Sequence, residues 1–309
     1  MPGDTLINQL RDTAPGQLAD SLFGAHSLST RAADEPVTLS GFFTFLVIFC
    51  LLVGGPFIIN RFLEAWRRRR AIRAGLAELD DHFNEHDALL QQFNGYYKSL
   101  TQPMRRKFME RVVWFMNSKQ FECVDLEFED RMPWLISAAA VQISFGLDKY
   151  LLDFFDTIFI LRHNYNYGVY QKPFEGHVNS QGIYLSWDNF LRGFSDYTDG
   201  DNVGIHEMAH ALAYVNFMAG ANSGQDEKFI QRFYQFSAVA RPIFNEMQNG
   251  QSNMLNSYAA TNYNEFWAVA VETFFEKPGS LNIELPDLYQ ALCHLLNQDP
   301  IKPDKILNG

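Results

Sequence analysis

Cysteine is scarce. Only Cys50, Cys123 and Cys293 occur in 309 residues, and no two of them form a C-x-x-C pair. That excludes a disulfide framework and fits a reducing compartment. Glycine and proline number 20 and 12, and no period recurs, so collagen-like, mucin-like and low-complexity designs are excluded. There is no Walker loop and no G-x-G-x-x-G. Basic charge is also short, with 25 Lys/Arg against 36 Asp/Glu, a net charge of −11 and a pI near 5.2. A balance of that sign argues against a nucleic-acid partner. Aromatics are abundant, with 28 Phe alone, and that excludes disorder for most of the chain.

Charge is absent altogether from Pro36 to Asn60, where GFFTFLVIFCLLVGGPFII fills most of the run. At 1.5 Å per residue this length matches a ~30 Å hydrocarbon core, so the pattern predicts a single transmembrane helix over 38–60 in contact with membrane lipid. Arg61 and the cluster Arg67 to Arg70 follow at once, whereas residues 1–37 hold only Arg11 and Arg31. The positive-inside rule then predicts a single-pass inner-membrane protein with its C-terminal side in the cytoplasm, and Trp66 reads as an interfacial anchor. The basic excess stays in that neighbourhood: residues 61–120 hold 12 basic and 7 acidic residues, residues 121–309 hold 11 and 24. The predicted organisation is a flexible extracytoplasmic tail (1–37), the transmembrane helix (38–60), a basic juxtamembrane segment and helix (61–94), and a catalytic domain (95–309).

Within the polar part, helical spacing covers 71–100, 102–115, 132–147, 202–218 and 264–275. CVDLEFE, TIFILRH (157–163) and GIYLSW (182–187) read as short strands. Long helices with a small sheet predict an α+β domain.

One constellation carries chemistry. His206, Glu207 and His210 form H-E-x-x-H within VGIHEMAHALAY. Residues four apart lie one above the other on a helix, so both imidazoles face one way and share a metal, with Glu207 beside them as general base. The helix is otherwise apolar, and buried polar groups need partners. A catalytic zinc site needs a third protein ligand and an open position for water. Spacing offers Glu265 or Glu272, seven residues apart on one face of a downstream apolar helix, and does not choose between them. His82-Phe83-Asn84-Glu85-His86 matches the inverted motif H-x-x-E-H, but it lies in a polar stretch with no apolar bed and reads as a solvated helix face.

HEMAHAL, SYAATNYNEFWAVAVETFF and LSWDNFLRGFSDYTDGDNVGIHE together resemble the glucose-regulated zinc metallopeptidases. That family is typified by a titration factor of the glucose repressor Mlc, and its catalytic region is similar to that of anthrax lethal factor. YYKSLTQPMRRKFMERVVWFMNSKQFE is similar to the family's N-terminal helices, so the likeness covers roughly residues 95–280. It implies a zincin-like fold of the gluzincin type, one Zn²⁺ per chain held by His206, His210 and Glu265, and Glu207 as the base acting on a zinc-bound water. It makes Glu272 a residue that orients a ligand histidine, and Tyr258 a stabiliser of the oxyanion. The substrate it implies is a peptide or protein, cleaved in an aminopeptidase-like way. It also opens an alternative, a tethered binding module that sequesters a cytoplasmic transcriptional regulator with zinc mainly structural. One departure stands out: Ala213 occupies a position where the family has Asp. GIYLSW is expected to be the edge strand that aligns the substrate.

Overall fold

The computed structural model describes residues 39–50, 52, 55–166, 173–196, 198–220 and 224–303. The chain divides into two compact units, Met1–Arg61 and Phe62–Gly309. The helices in chain order are α1 (Leu39–Phe49), α2 (Gly55–Phe93), α3 (Gly95–Ser99), α4 (Gln102–Met116), α5 (Arg131–Ser144), α6 (Trp187–Ser195), α7 (Val203–Phe217), α8 (Glu227–Gln248), α9 (Tyr263–Glu276), α10 (Pro278–Glu284) and α11 (Pro286–Leu296). The strands are β1 (Gln120–Val124), β2 (Thr157–Leu161), β3 (Gly176–Asn179) and β4 (Gly182–Ser186). A mostly helical chain with one small sheet fits the α+β expectation.

The structure does not support the transmembrane helix expected over 38–60. Among the described residues no helix is long and apolar enough to cross a membrane. α1 has 11 residues, about 16 Å at 1.5 Å each, roughly half of a ~30 Å core. α2 opens at Gly55, and its apolar start meets Arg61 and then Arg67 to Arg70. The physical reason lies in the triplet Gly54-Gly55-Pro56. Glycine is a weak helix former, and proline lacks the N–H that a helix interior needs, so Pro56 falls in the first turn of α2 and not inside one longer α-helix. The single-pass inner-membrane location and the lipid contact through 38–60 lose their basis with it. The expected tail, 1–37, lies outside the described residues.

In the second unit the sheet order is β1-β2-β4-β3. β1 and β2 are parallel, as are β2 and β4, while β3 closes the sheet antiparallel to β4. The strand expected at CVDLEFE begins three residues earlier, at Gln120. One sheet face is fully buried through Ile158, Ile160, Ile183 and Leu185. The other carries a cross-strand stack, with the Phe159 ring 4.5 Å from Tyr184 and Tyr184 4.2 Å from His177. GIYLSW therefore supplies an inner strand, β4, and the edges are β1 and the short β3. Alternating burial of this kind follows from the two-residue period of a strand.

α5 is buried from Met132 to Ser144 and lies between α4 and α7. α7 packs on β3, β4 and α9. Phe229, Phe236, Phe266 and Trp267, all at most 1 % exposed, fill the space between α8 and α9. Each Phe ring buried in this way contributes on the order of 1.5–3 kcal/mol.

Candidate metal centre and cleft

α7 starts at a built cap. Asn202 is fully buried, and its Oδ1 accepts the Ile205 N–H at 3.1 Å. Its Nδ2 donates to the Gly193 carbonyl (3.2 Å) and to Glu276 Oε1 (3.0 Å). Its own N–H donates to Glu272 Oε1 at 2.9 Å. Capping of this type satisfies the orphan donors of a first helical turn. α9 begins in the same way, with Asn262 Oδ1 accepting from Asn264 and Glu265. The two helices are then fixed to each other by Trp267, whose Nε1–H donates to the Ala209 carbonyl at 2.9 Å.

This crossing brings His206, His210 and Glu265 together. The two Nε2 atoms lie 3.0 Å apart, and Glu265 Oε2 is 3.0 Å from His206 Nε2 and 3.3 Å from His210 Nε2. All three ligand-type atoms fall within 4.8 Å of one another, and no other such group occurs among the described residues. Zinc with ligands at about 2.0–2.1 Å in a tetrahedron needs ligand pairs about 3.3 Å apart. Two imidazole nitrogens and one carboxylate at these spacings fit that ion, and they leave a fourth direction open. His206 Nδ1 faces Glu272 Oε2 at 3.1 Å. A carboxylate behind a ligand imidazole fixes its ring and tautomer.

The electrostatics point the same way. Burial works against charge on Glu265, but hydrogen bonds from His206 and His210 outweigh it and hold the carboxyl down to about 2. Burial lifts the proton affinity of Glu207, against the pull of His210 and His206. Glu207 is 5 % exposed, and its Oε2 has no hydrogen-bond partner, nor does His210 Nδ1. Three carboxylates around two imidazoles leave an excess of negative charge that a dication balances. Tyr258 sits on a 3₁₀ turn, Ser257–Ala260. Its ring centroid is 6.1 Å from that of His206, and the residue is half exposed.

Two cavities meet at this group. One of about 510 Å³ lies toward the C-terminal half of α7, the other of about 600 Å³ toward its N-terminal end. Both are lined by Gly176, His206, Glu207 and Tyr258. Sequence reasoning missed Gly176. A Cβ there would stand 2.5 Å from Glu207 Cγ and 2.8 Å from Oε1, so β3 lies directly on the carboxylate. It also missed Asn202, for which the cap position before an apolar helix was the available signal. The inverted motif brings nothing together: His82 faces Glu85 at 3.4 Å, and the His86 ring stacks on Trp134 at 3.8 Å.

The profile of the glucose-regulated metallo-peptidase M90 family matches residues 63–296. An uncharacterized protein of Synechocystis sp. is 27 % identical over 67 % of this chain and 81 % of its own length. Mlc titration factor A of Yersinia pestis and that of Yersinia pseudotuberculosis are each 30 % identical over 38 % of this chain. The match spans 45 % of those factors' length.

Proposed function

The chain belongs to the glucose-regulated metallo-peptidase M90 family, and on that premise we propose that it hydrolyses peptide bonds with a zinc ion held by His206, His210 and Glu265. One observation carries the reading. The buried Oε2 of Glu207, with no hydrogen bond of its own, lies beside the only metal-type cluster among the described residues, where two cavities join.

Zinc, when bound, would supply Lewis acidity and lower the pKa of a water to about 7. The chain's residues do the rest. Glu207 accepts the proton of the attacking water and later delivers it to the leaving nitrogen. Its burial, which favours the protonated carboxyl, suits that second role. Glu272 accepts from His206 Nδ1–H, so that Nε2 faces the cluster with its lone pair. Tyr258 donates its hydroxyl hydrogen to the substrate oxygen as negative charge builds there. β3, the terminal strand of the sheet, aligns the peptide by main-chain hydrogen bonds.

The test is Glu207→Gln. It keeps one zinc per chain and lowers turnover of a peptide library at least ~10²-fold. Cleavage at the wild-type rate would refute the mechanism. The name of the two Yersinia relatives, Mlc titration factor A, supports a second reading, capture of a transcriptional regulator. Glu265→Ala separates the two: regulator capture that survives loss of the metal favours the binding role.

A further inference from the structure

The cleft has two unlike halves, and on the peptidase reading above this sets which bond is cut. The half toward the C-terminal end of α7 is walled by Ala213, Tyr214, Phe217, Met218 and Phe233. Among the described residues no Asp, Glu, Lys or Arg lines it apart from Glu207 and Glu265. Phe217 and Met218 remain 38 % and 72 % exposed, apolar surface that gains by being covered. The other half is lined by Glu175, Asp201 and Glu272. Glu175 already faces Arg192 at 3.2 Å, Glu272 is held by His206 and Asn202, and Lys277 packs against Gly200. The Asp201 carboxylate has no ion pair among the described residues, and its backbone N–H donates to Asp199 Oδ1. A chain laid over Asp201 strips its water, a cost that a basic side chain offsets.

Direction follows from two elements that run the same way. β3 and the residues just before it pass from Pro173 and Glu175 in the acidic half to His177 and Val178 in the apolar half. α7 passes from Val203 in the first to Ala213 and Phe217 in the second. A strand added to an edge pairs slightly better antiparallel than parallel, and so it enters with its N-terminal part in the apolar half. We infer that the cleft selects a large apolar residue immediately before the scissile bond and a basic residue immediately after it. Ala213 and Met218 set the first preference and Asp201 the second.

The test uses binding, so that it does not depend on turnover. Full-length, zinc-loaded Glu207→Gln protein is titrated by fluorescence anisotropy with labelled decapeptides that differ only at their central pair. The expected order is Phe-Lys about tenfold tighter than Lys-Phe, with Phe-Ala between them. Adding Ala213→Asp weakens Phe-Lys about tenfold at unchanged zinc content, and adding Asp201→Asn brings Phe-Lys and Phe-Ala within about twofold. Equal affinities, tighter binding of Lys-Phe, or no binding at all would overturn the inference. Wild-type protein with the same peptides separates it from the reading beneath it. The expected binding order without cleavage supports the cleft preference and refutes the peptidase, whereas cleavage without any order does the reverse.

Discussion

Replacing Gly176 by Ala adds one methyl group at the place where β3 touches Glu207. The new carbon would stand 2.5 Å from Glu207 Cγ and 2.9 Å from Cδ, whereas carbons in contact prefer about 3.5–4.0 Å. Relief needs a displacement of about 1 Å. β3 is tied to β4 by its ladder, so the Glu207 side chain moves. A 1 Å misplacement of a reacting group costs on the order of 10²-fold in rate, and overpacking costs about 1–3 kcal/mol of stability. The assay is kcat/KM for a cleaved peptide, beside a urea titration and zinc stoichiometry. The expected result is a loss of about 10²-fold in kcat/KM with one zinc retained, because His206, His210 and Glu265 are untouched. Gly182→Ala is the comparator. Its Cβ would stand 2.6 Å from the Thr157 carbonyl oxygen, elsewhere in the same sheet, so it costs comparable stability and leaves turnover of the folded protein intact. If Gly176→Ala kept kcat/KM within about threefold of wild type, the reasoning that β3 positions Glu207 would be refuted.

Other outcomes follow from the same contacts. Glu272→Ala frees the His206 ring and weakens zinc affinity about 10–100-fold, read by competition with a chelating dye. Asn202→Ala removes a helix cap and takes one donor each from Glu276 and the Gly193 carbonyl, while the main-chain N–H to Glu272 stays. A loss of about 2–4 kcal/mol in urea titrations is expected, and a loss under 1 would count against the hub assigned to it. Glu276 is buried, and desolvation pushes its carboxyl up to about 8. Its folded-state value therefore exceeds the ordinary 4.5. No penalty exists below that ordinary value; it grows between the two values and is complete above about 8, so stability falls as pH rises through that window. Glu276→Gln flattens this slope, measured as unfolding free energy at several pH values. An unchanged slope would assign the dependence to another group.

The helix that carries H-E-x-x-H was legible because its motif has a physical spacing, and α9 because Glu265 opens an apolar run. The choice between Glu265 and Glu272 was not legible from spacing, and only the family resemblance supplied it. Both lie on one face of α9, and only the crossing angle with α7 decides which reaches the Nε2 side and which the Nδ1 side. β3 left almost no trace. Gly176, His177 and Asn179 are poor or indifferent strand formers, and their extended state is imposed by pairing with β4. The sequence of α8 contains Pro242, a local signal against a helix that packing on α9 and α11 overrides. The apolar run at 38–60 misled in the opposite direction: hydropathy averages over a window, and the two glycines and one proline at 54–56 weigh little in an average.

The hydrogen bond from the Trp267 indole to the Ala209 carbonyl is small in energy and large in effect. It acts as a locating pin between two cylinders that would otherwise slide, and it sits between the two histidines on α7 and beside Glu265 on α9. Ligand spacing is thereby set by buried framework rather than by loops. An ion held by these residues would have little ordering left to impose, and its uptake and release would then follow passage along the cleft rather than opening of the fold. A substitution at position 267 would accordingly be felt first as a change in how fast the ion exchanges, before it is felt in how many ions are bound.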